Sequence, residues 1–407
     1  MRFIFIILTF AVLPGMAQNL GFSLAENKGR VQIPIEVYNN LVVVPVVLNK
    51  QLPLKFVLDT GVRTAILTDK AFSDILRLPY VKKYSISAPG REKEVEAYIT
   101  YGISLDLPGV KSAGHSMLVL EEDFLELRNY MGADVHGVLG YELFSRFVVH
   151  IDYEKKMLTL FTPEKFKPSK KYKVVRFKVE DTKPYITTTI QQADGSKAEV
   201  KLLIDSGASH ALLLDPQSDS TITIPEKNIE SVLGIGLGGV IEGRIGRIKS
   251  LELGEFTLKD VIARYPDPNT YMDSLKYSLA FRSGSIGGDL LNRFNVAFDF
   301  STERLYLKKN NVFNKKFFYN MGGLTLKAKG SKLRNYEVTY VRPNSSAADA
   351  GVLAGDIIIR INGLSTNELS LHDVNGILNA KPGKKIYLDI DRKGQRLKKD
   401  FRLQSSI

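Results

Sequence analysis

Two short stretches decide how this chain is read. The first is Phe56-Val57-Leu58-Asp59-Thr60-Gly61, with Ala65-Ile66-Leu67 close behind; the second is Leu202-Leu203-Ile204-Asp205-Ser206-Gly207, with Ala211-Leu212-Leu213 behind. In each, an apolar run of strand length leads into an acid, a hydroxyl residue and a glycine. One such tripeptide alone is weak evidence, because Asp, Ser and Gly all favour turns. Two, each behind a matched apolar run and 146 residues apart, form a repeat. The match continues downstream. Val138-Leu139-Gly140, Leu143, Arg146-Phe147, Val149, Ile151-Asp152, Leu158 and Leu160 align with Ser285-Ile286-Gly287, Leu290, Arg293-Phe294, Val296, Phe298-Asp299, Leu305 and Leu307, at an offset of 147. One net insertion thus separates two copies of a single unit, too long for a solenoid repeat.

Outside these motifs the chain reads as short strands bounded by Gly, Pro, Asn or Asp, among them Val42-Val43-Val44, Val148-Val149 and Ile357-Ile358-Ile359. Short helices are expected within Thr68–Leu78 and Glu121–Tyr130. Two stretches read as linkers: Thr162–Lys173, with two prolines and many lysines, and Lys308–Asn320, rich in Lys and Asn. They leave three blocks of ordinary domain size.

Composition narrows the chemistry. At 44% apolar and 25% charged residues, the 407-residue chain is an ordinary globular protein and not a disordered one. With no cysteine, it has no disulfides, zinc–thiolate sites, iron–sulfur clusters or thiol nucleophiles. Five scattered histidines make a transition-metal site a poor expectation. The net charge of +12 is spread over all three blocks with no basic stripe of interleaved aromatics, so it reads as surface charge and no nucleic-acid partner is expected. Met1-Arg2, the apolar run Phe3–Leu13 and the small residues Gly15 and Ala17 read as a signal peptide over residues 1–17. The expectation is an exported chain, periplasmic or secreted, beginning at Gln18 and holding no transmembrane segment.

The repeated Asp-Thr/Ser-Gly, with Val138-Leu139-Gly140 and the less regular Ser285-Ile286-Gly287, resembles the aspartic peptidase superfamily, closest to bacterial exported chains with two retropepsin-like halves. The resemblance covers roughly residues 31–307. It implies a mainly β fold of two pepsin-like or retropepsin-like barrel lobes, residues 18–165 and 170–310. It also implies a catalytic pair, Asp59 and Asp205, with Thr60, Gly61, Ser206 and Gly207 supporting the active-site loops. Two carboxyls ~3 Å apart cannot both ionise; they share one proton and serve as base and acid to a water nucleophile, so no metal or other cofactor is called for. Polypeptide substrate would lie extended between the lobes. Hairpins over Tyr84–Tyr101, with its turn near Ala88-Pro89-Gly90-Arg91, and Gly234–Arg247 fit covering flaps, and Tyr98 is a guess at a flap tyrosine.

Three features depart from a plain reading. Gly234-Ile235-Gly236-Leu237-Gly238-Gly239 satisfies a dinucleotide fingerprint, but the alternation after it argues for strands rather than the required helix. Arg63 would lower the acidity constant of Asp59 if it turned inward, and otherwise is a solvated arginine. Ser285 stands where the second signature wants an apolar residue.

In the third block, Ser345-Ser346-Ala347-Ala348-Asp349-Ala350-Gly351, Gly355-Asp356-Ile357-Ile358 and Ile361-Asn362-Gly363 together resemble a PDZ domain, residues 320–407. Asn362-Gly363 is itself a hairpin-turn signal. The resemblance implies binding of peptide or protein C-termini, with the terminal carboxylate held near Gly322, Gly323 and Leu324, and Leu371–Leu378 as the groove helix with His372 near its start. Two functions are open at this point: an aspartic endopeptidase with a PDZ domain, or a catalytically silent peptidase-like scaffold that holds peptides.

Overall fold

The computed structural model describes residues 20–26, 28–86, 95–236, 239–268 and 281–407. The signal-peptide expectation and the turn at Ala88–Arg91 lie outside those residues. The fold is mainly β.

The repeat in sequence is a repeat in topology. In the first half the strands run, in sheet order, Glu36–Tyr38, Leu41–Leu48, Leu52–Leu58, Gly137–Leu139, Ala65–Leu67, His115–Leu120, Val95–Ile103 and Lys82–Ile86. In the second half the order is Lys178–Glu180, Lys183–Gln191, Lys197–Ile204, Gly284–Ile286, Leu212–Leu214, Phe256–Pro266, Gly239–Leu253 and Asn228–Gly236. Each of these eight strands has a counterpart at the same place in the other half. The strand that leads into each Asp-Thr/Ser-Gly is nearly continuously apolar, because it lies mid-sheet and is covered on both faces; Phe56, Leu58, Leu202 and Ile204 are fully buried.

A six-stranded sheet joins the halves, three strands from each: Lys173–Arg176, Arg304–Lys309, Phe294–Asp299, Val148–Asp152, Met157–Phe161 and Arg30–Pro34. Its middle pair is antiparallel, with His150 opposite Ala297. Those two residues are 147 apart, the offset of the repeat, so the pseudo-twofold axis passes through that pair. Antiparallel pairing of like with like is what a twofold axis requires.

The hairpins flank the repeat as strands 82–86 with 95–103, and 228–236 with 239–253. A strand follows Gly239, so the dinucleotide reading has no helix to stand on. The expected helices are shorter than their sequence windows, Lys70–Ile75 and Leu127–Met131.

The stretch Lys308–Asn320 is not the free linker its Lys/Asn content suggested. The buried Arg293 guanidinium takes the carbonyls of Val312, Phe313 and Lys315 and lies 3.4 Å over the Phe317 ring. Phe317 and Tyr319 are buried. Four aromatics among the lysines, Phe313, Phe317, Phe318 and Tyr319, supply the apolar contact that composition obscured. Arg146, the counterpart of Arg293, likewise clamps a flanking segment through the Phe22 carbonyl at 2.9 Å.

The third block is a six-stranded sheet whose main path runs Leu324–Lys329, Asn335–Val341, Ile357–Ile361, Lys385–Arg392 and Gln395–Arg402, with Leu364–Ser365 paired to Ile357–Ile361, and with helices Ser346–Asp349 and Leu371–Leu378. Ser345 caps the first helix, and Ser370 with Asp373 forms a capping box on the second. Buried Asp356 receives both Nε and Nη2 of Arg392, and Asn362-Gly363 makes the tight turn with both φ positive. Among the described residues, no helix is long and apolar enough to cross a membrane.

Candidate active site

The two Asp-Thr/Ser-Gly loops meet at the seam through reciprocal hydrogen bonds. The Thr60 N–H donates to Ser206 Oγ at 3.0 Å, and the Ser206 N–H donates to Thr60 Oγ1 at 3.0 Å. Each hydroxyl then donates back across the axis, Thr60 Oγ1 to the Ile204 carbonyl at 2.6 Å and Ser206 Oγ to the Leu58 carbonyl at 2.9 Å. Thr60 and Ser206 are buried, so these four bonds are shielded from water and hold the loops in one geometry.

The aspartates are fixed from behind. Asp59 N–H donates to the Leu139 carbonyl and Asp205 N–H to that of Ile286, at 2.9 and 2.8 Å. These extend the parallel pairings of 56–58 with 137–139 and of 202–204 with 284–286. The need for glycine after each pairing strand follows. A Cβ on Gly140 would sit 2.1 Å from the Val62 carbonyl oxygen, and one on Gly287 would sit 2.3 Å from that of His210. Ser285 still leaves the pairing intact, and its hydroxyl shares a hydrogen bond with His210 Nε2 at 2.9 Å. Burial pushes the His210 imidazole down to about 3, so it is neutral.

The carboxyls face one another. Gly61 N–H donates to Asp59 Oδ1 at 2.6 Å and Gly207 N–H to Asp205 Oδ1 at 3.0 Å. A Cβ on Gly61 would lie 3.1 Å from Asp59 Oδ1 and 3.5 Å from Asp205 Oδ1, so a single atom-sized position borders both acids. On Gly207 it would overlap the Asp59 carboxyl at 2.2 Å. Glycine is therefore a steric requirement at Gly207, while at Gly61 a Cβ would make a tight contact with the Asp59 carboxyl.

Burial raises the pKa of Asp59, the negative charge of Asp205 raises it further, and a side-chain hydrogen bond joins the two carboxyls. Asp205 is also raised by burial, but the positive charges of Arg282 and Lys183 oppose the rise. Burial thus favours the protonated form of both acids, opposed at Asp205 by the two cations, and the titration belongs to the pair.

Lys183 and Arg282 escaped the sequence reading. The turn Asp181-Thr182 before Lys183 matches Asn39-Asn40 before Leu41, both turns having two positive φ values. Arg282 sits 147 residues after Val135. A cation in one repeat where the other holds an apolar residue was the available signal. Arg63, which the sequence did single out, points away: its side chain is largely exposed and pairs with Asp181 at 3.6 Å. Tyr98 packs its ring 4.7 Å from that of Tyr80 and donates its hydroxyl to Glu121.

In the third block, Gly322, Gly323 and Leu324 form the loop before the edge strand 324–329. Gly323 has a φ of +78°, and its N–H already donates to Asn320 Oδ1 at 2.9 Å. A Cβ on Gly322 would lie 3.2 Å from Leu378, at the end of the groove helix, and Leu324 is buried. The loop and the helix end thus lie together.

Comparison with known proteins bears on each part. An aspartyl protease family model matches residues 44–143 and 186–279, one segment around each Asp-Thr/Ser-Gly. A PDZ-domain model matches residues 337–392. No curated protein is significantly similar in sequence. Among solved structures, the photosystem II D1 C-terminal processing protease is similar over 20% of this chain and 22% of its own, at 25% identity and a TM-score of 0.19. This chain thus spans about a fifth of that protein, and the likeness is too slight to bear on fold or function. The two matched segments and the motifs inside them support an aspartyl protease assignment for the two halves, and the third block matches a PDZ domain.

Proposed function

We propose that the protein is an aspartic endopeptidase in which Asp59 and Asp205 activate a water molecule, and that its PDZ domain binds peptide or protein C-termini. The observation that carries the reading is the reciprocal Thr60–Ser206 bonding, which supports two carboxyls at one position beside Gly61. In the proposed step, Asp205 takes a proton from water as the oxygen attacks the scissile carbonyl carbon. Asp59 gives its proton to the carbonyl oxygen, forming a neutral gem-diol. Collapse of the gem-diol breaks the C–N bond, and the amine leaves with a proton returned through the dyad.

Two features support a working dyad over a decorative one. Both acids are present in a partly buried setting that raises their pKa values, and the bonds around them leave the facing carboxyls to one another. The test is cleavage of a broad peptide library from acid to neutral pH, with Asp59→Asn and Asp205→Asn as controls. Loss of cleavage in both supports the reading. Cleavage that survives both changes removes the dyad from the chemistry. A library that is never cut, while C-terminal peptides bind, leaves the scaffold function. Export remains part of the proposal, checked by finding Gln18 at the N-terminus of the protein recovered outside the cytoplasm.

A further inference from the structure

Among the described residues, the PDZ sheet ends on the strand Leu324–Lys329, whose one sheet partner there is Asn335–Val341. Its other edge, with the groove helix Leu371–Leu378, is where an extended peptide would add as a further strand. That position is not open along its length. The short helix Leu127–Met131 of the first lobe packs against the edge strand, and Asn129 Nδ2 donates to the Ala328 carbonyl at 2.8 Å. Glu126 pairs with Lys327, whose ammonium lies 5.6 Å from the centre of the Tyr130 ring. The lobe also reaches the groove helix. A Cβ on Gly132 would be 2.5 Å from that of Leu371. His372 Nδ1 accepts from the Asn39 N–H at 3.2 Å, and Asn375 Nδ2 donates to Asn39 Oδ1 at 3.3 Å.

These contacts involve Lys327 and Ala328 of the strand and the helix from Leu371 to Asn375. The loop Gly322–Leu324 and Leu378 lie at the opposite end. A short peptide held by its carboxylate there would meet none of them; a longer one would reach Ala328 and find its carbonyl taken. The same lobe segment also touches the dyad side of the molecule. Asn40, next to Asn39, donates to the Ser209 carbonyl at 3.4 Å, two residues past Gly207, and accepts from Asn292 at 3.1 Å.

We infer that the first lobe is a built-in occupant of the far half of the PDZ groove, so that a C-terminal peptide long enough to pair with Ala328 must displace the helix Leu127–Met131, and that displacement frees the Asn39–Asn40 turn bridging the groove helix and the second dyad loop. The inference rests on the PDZ half of the proposed function and is independent of peptide cleavage. No covalent step is involved; two backbone partners compete for one sheet edge.

The experiment uses the full chain carrying Asp59→Asn, so that cleavage cannot consume the probe. The probes are two N-terminally labelled peptide pools ending in Val or Leu with a free carboxylate: tripeptides and decapeptides, random elsewhere. Amidated pools are the controls, and anisotropy is the readout. Gly132→Asn adds a side chain against Leu371 while tolerating the left-handed backbone there (φ +64°), and Asn129→Ala removes the bond to Ala328. Each variant is expected to bind the decapeptide pool about tenfold more tightly than the parent and the tripeptide pool equally well. Decapeptide should also speed amide exchange over residues 127–132 in the parent. Equal decapeptide affinity in parent and both variants overturns the inference. So does a parallel change for both lengths, which would mean a general loosening, and so does failure of every variant to bind either pool. A failed cleavage assay on the parent sequence would sink the peptidase reading and leave this one standing.

Discussion

Replacing Ser206 with alanine tests the seam on which the site depends. The change removes two bonds at once: the acceptor for the Thr60 N–H at 3.0 Å and the donor to the Leu58 carbonyl at 2.9 Å. Thr60 is fully buried and Ser206 nearly so, so water does not replace the lost partners. A buried polar group left without a partner costs about 1–3 kcal/mol, and the methylene-sized void adds little. The expected loss is about 2–4 kcal/mol, roughly a 5–15 °C drop in Tm for a domain of this size. Thr60→Val should cost a similar amount, since it removes the acceptor for the Ser206 N–H and the donor to the Ile204 carbonyl. Because the two hydroxyls serve each other's backbone, the double variant should differ from the sum of the singles by 0.5 kcal/mol or more, on the order seen for residues in one network. Thermal and denaturant unfolding of the four proteins measure this, with peptide cleavage alongside. Singles that cost under about 0.5 kcal/mol and add without coupling would show that the reciprocal bonds do not hold the lobes together.

Other consequences are open to direct measurement. Arg282 and Lys183 favour the ionised form of Asp205, so Lys183→Met should raise the pair's lower titration and move the acid limb of the kcat/KM profile to higher pH; an unmoved limb, or one shifted down, contradicts the assignment. Asp123 is pushed up to about 6 by burial, so the native chain holds its proton where the unfolded chain has lost it. Its contribution to stability is therefore full below about 3.8 and is lost as pH rises through 6, and Asp123→Asn should flatten that part of a Tm-against-pH curve. Gly140→Ala puts a carbon 2.1 Å from the Val62 oxygen, which the backbone of the first dyad loop cannot give without moving. It should destabilise by about 1–3 kcal/mol and cut turnover more than binding, read as kcat against KM.

The loop residues named from the sequence are those that meet at the seam, and the reason is local. Each Asp-Thr/Ser-Gly follows an apolar strand, and the strand carrying Val138-Leu139 or Ser285-Ile286 before its glycine pairs beside it in the same sheet. Periodicity and turn chemistry carry that much without long-range knowledge. The linker at Lys308–Asn320 misled because its charges hide four aromatics, which find partners only in the folded chain, Phe317 under Arg293 and Tyr319 against Arg342 and Ser406 of the third block. The shortened helices are the usual outcome where packing, not propensity, sets the ends.

The two halves, their offset and the identity of the facing acids follow from residues adjacent along the chain, because strand, turn and glycine requirements are satisfied within a few positions. What surrounds those acids does not. Lys183 and Arg282 come to the dyad, Arg63 turns away to Asp181, and the helix 127–131 settles on the PDZ edge strand, all through groups tens to hundreds of residues apart. Such contacts depend on the angles at which sheets pack and the directions in which side chains leave them. Those are properties of the assembled core, to which no short window of sequence is sensitive.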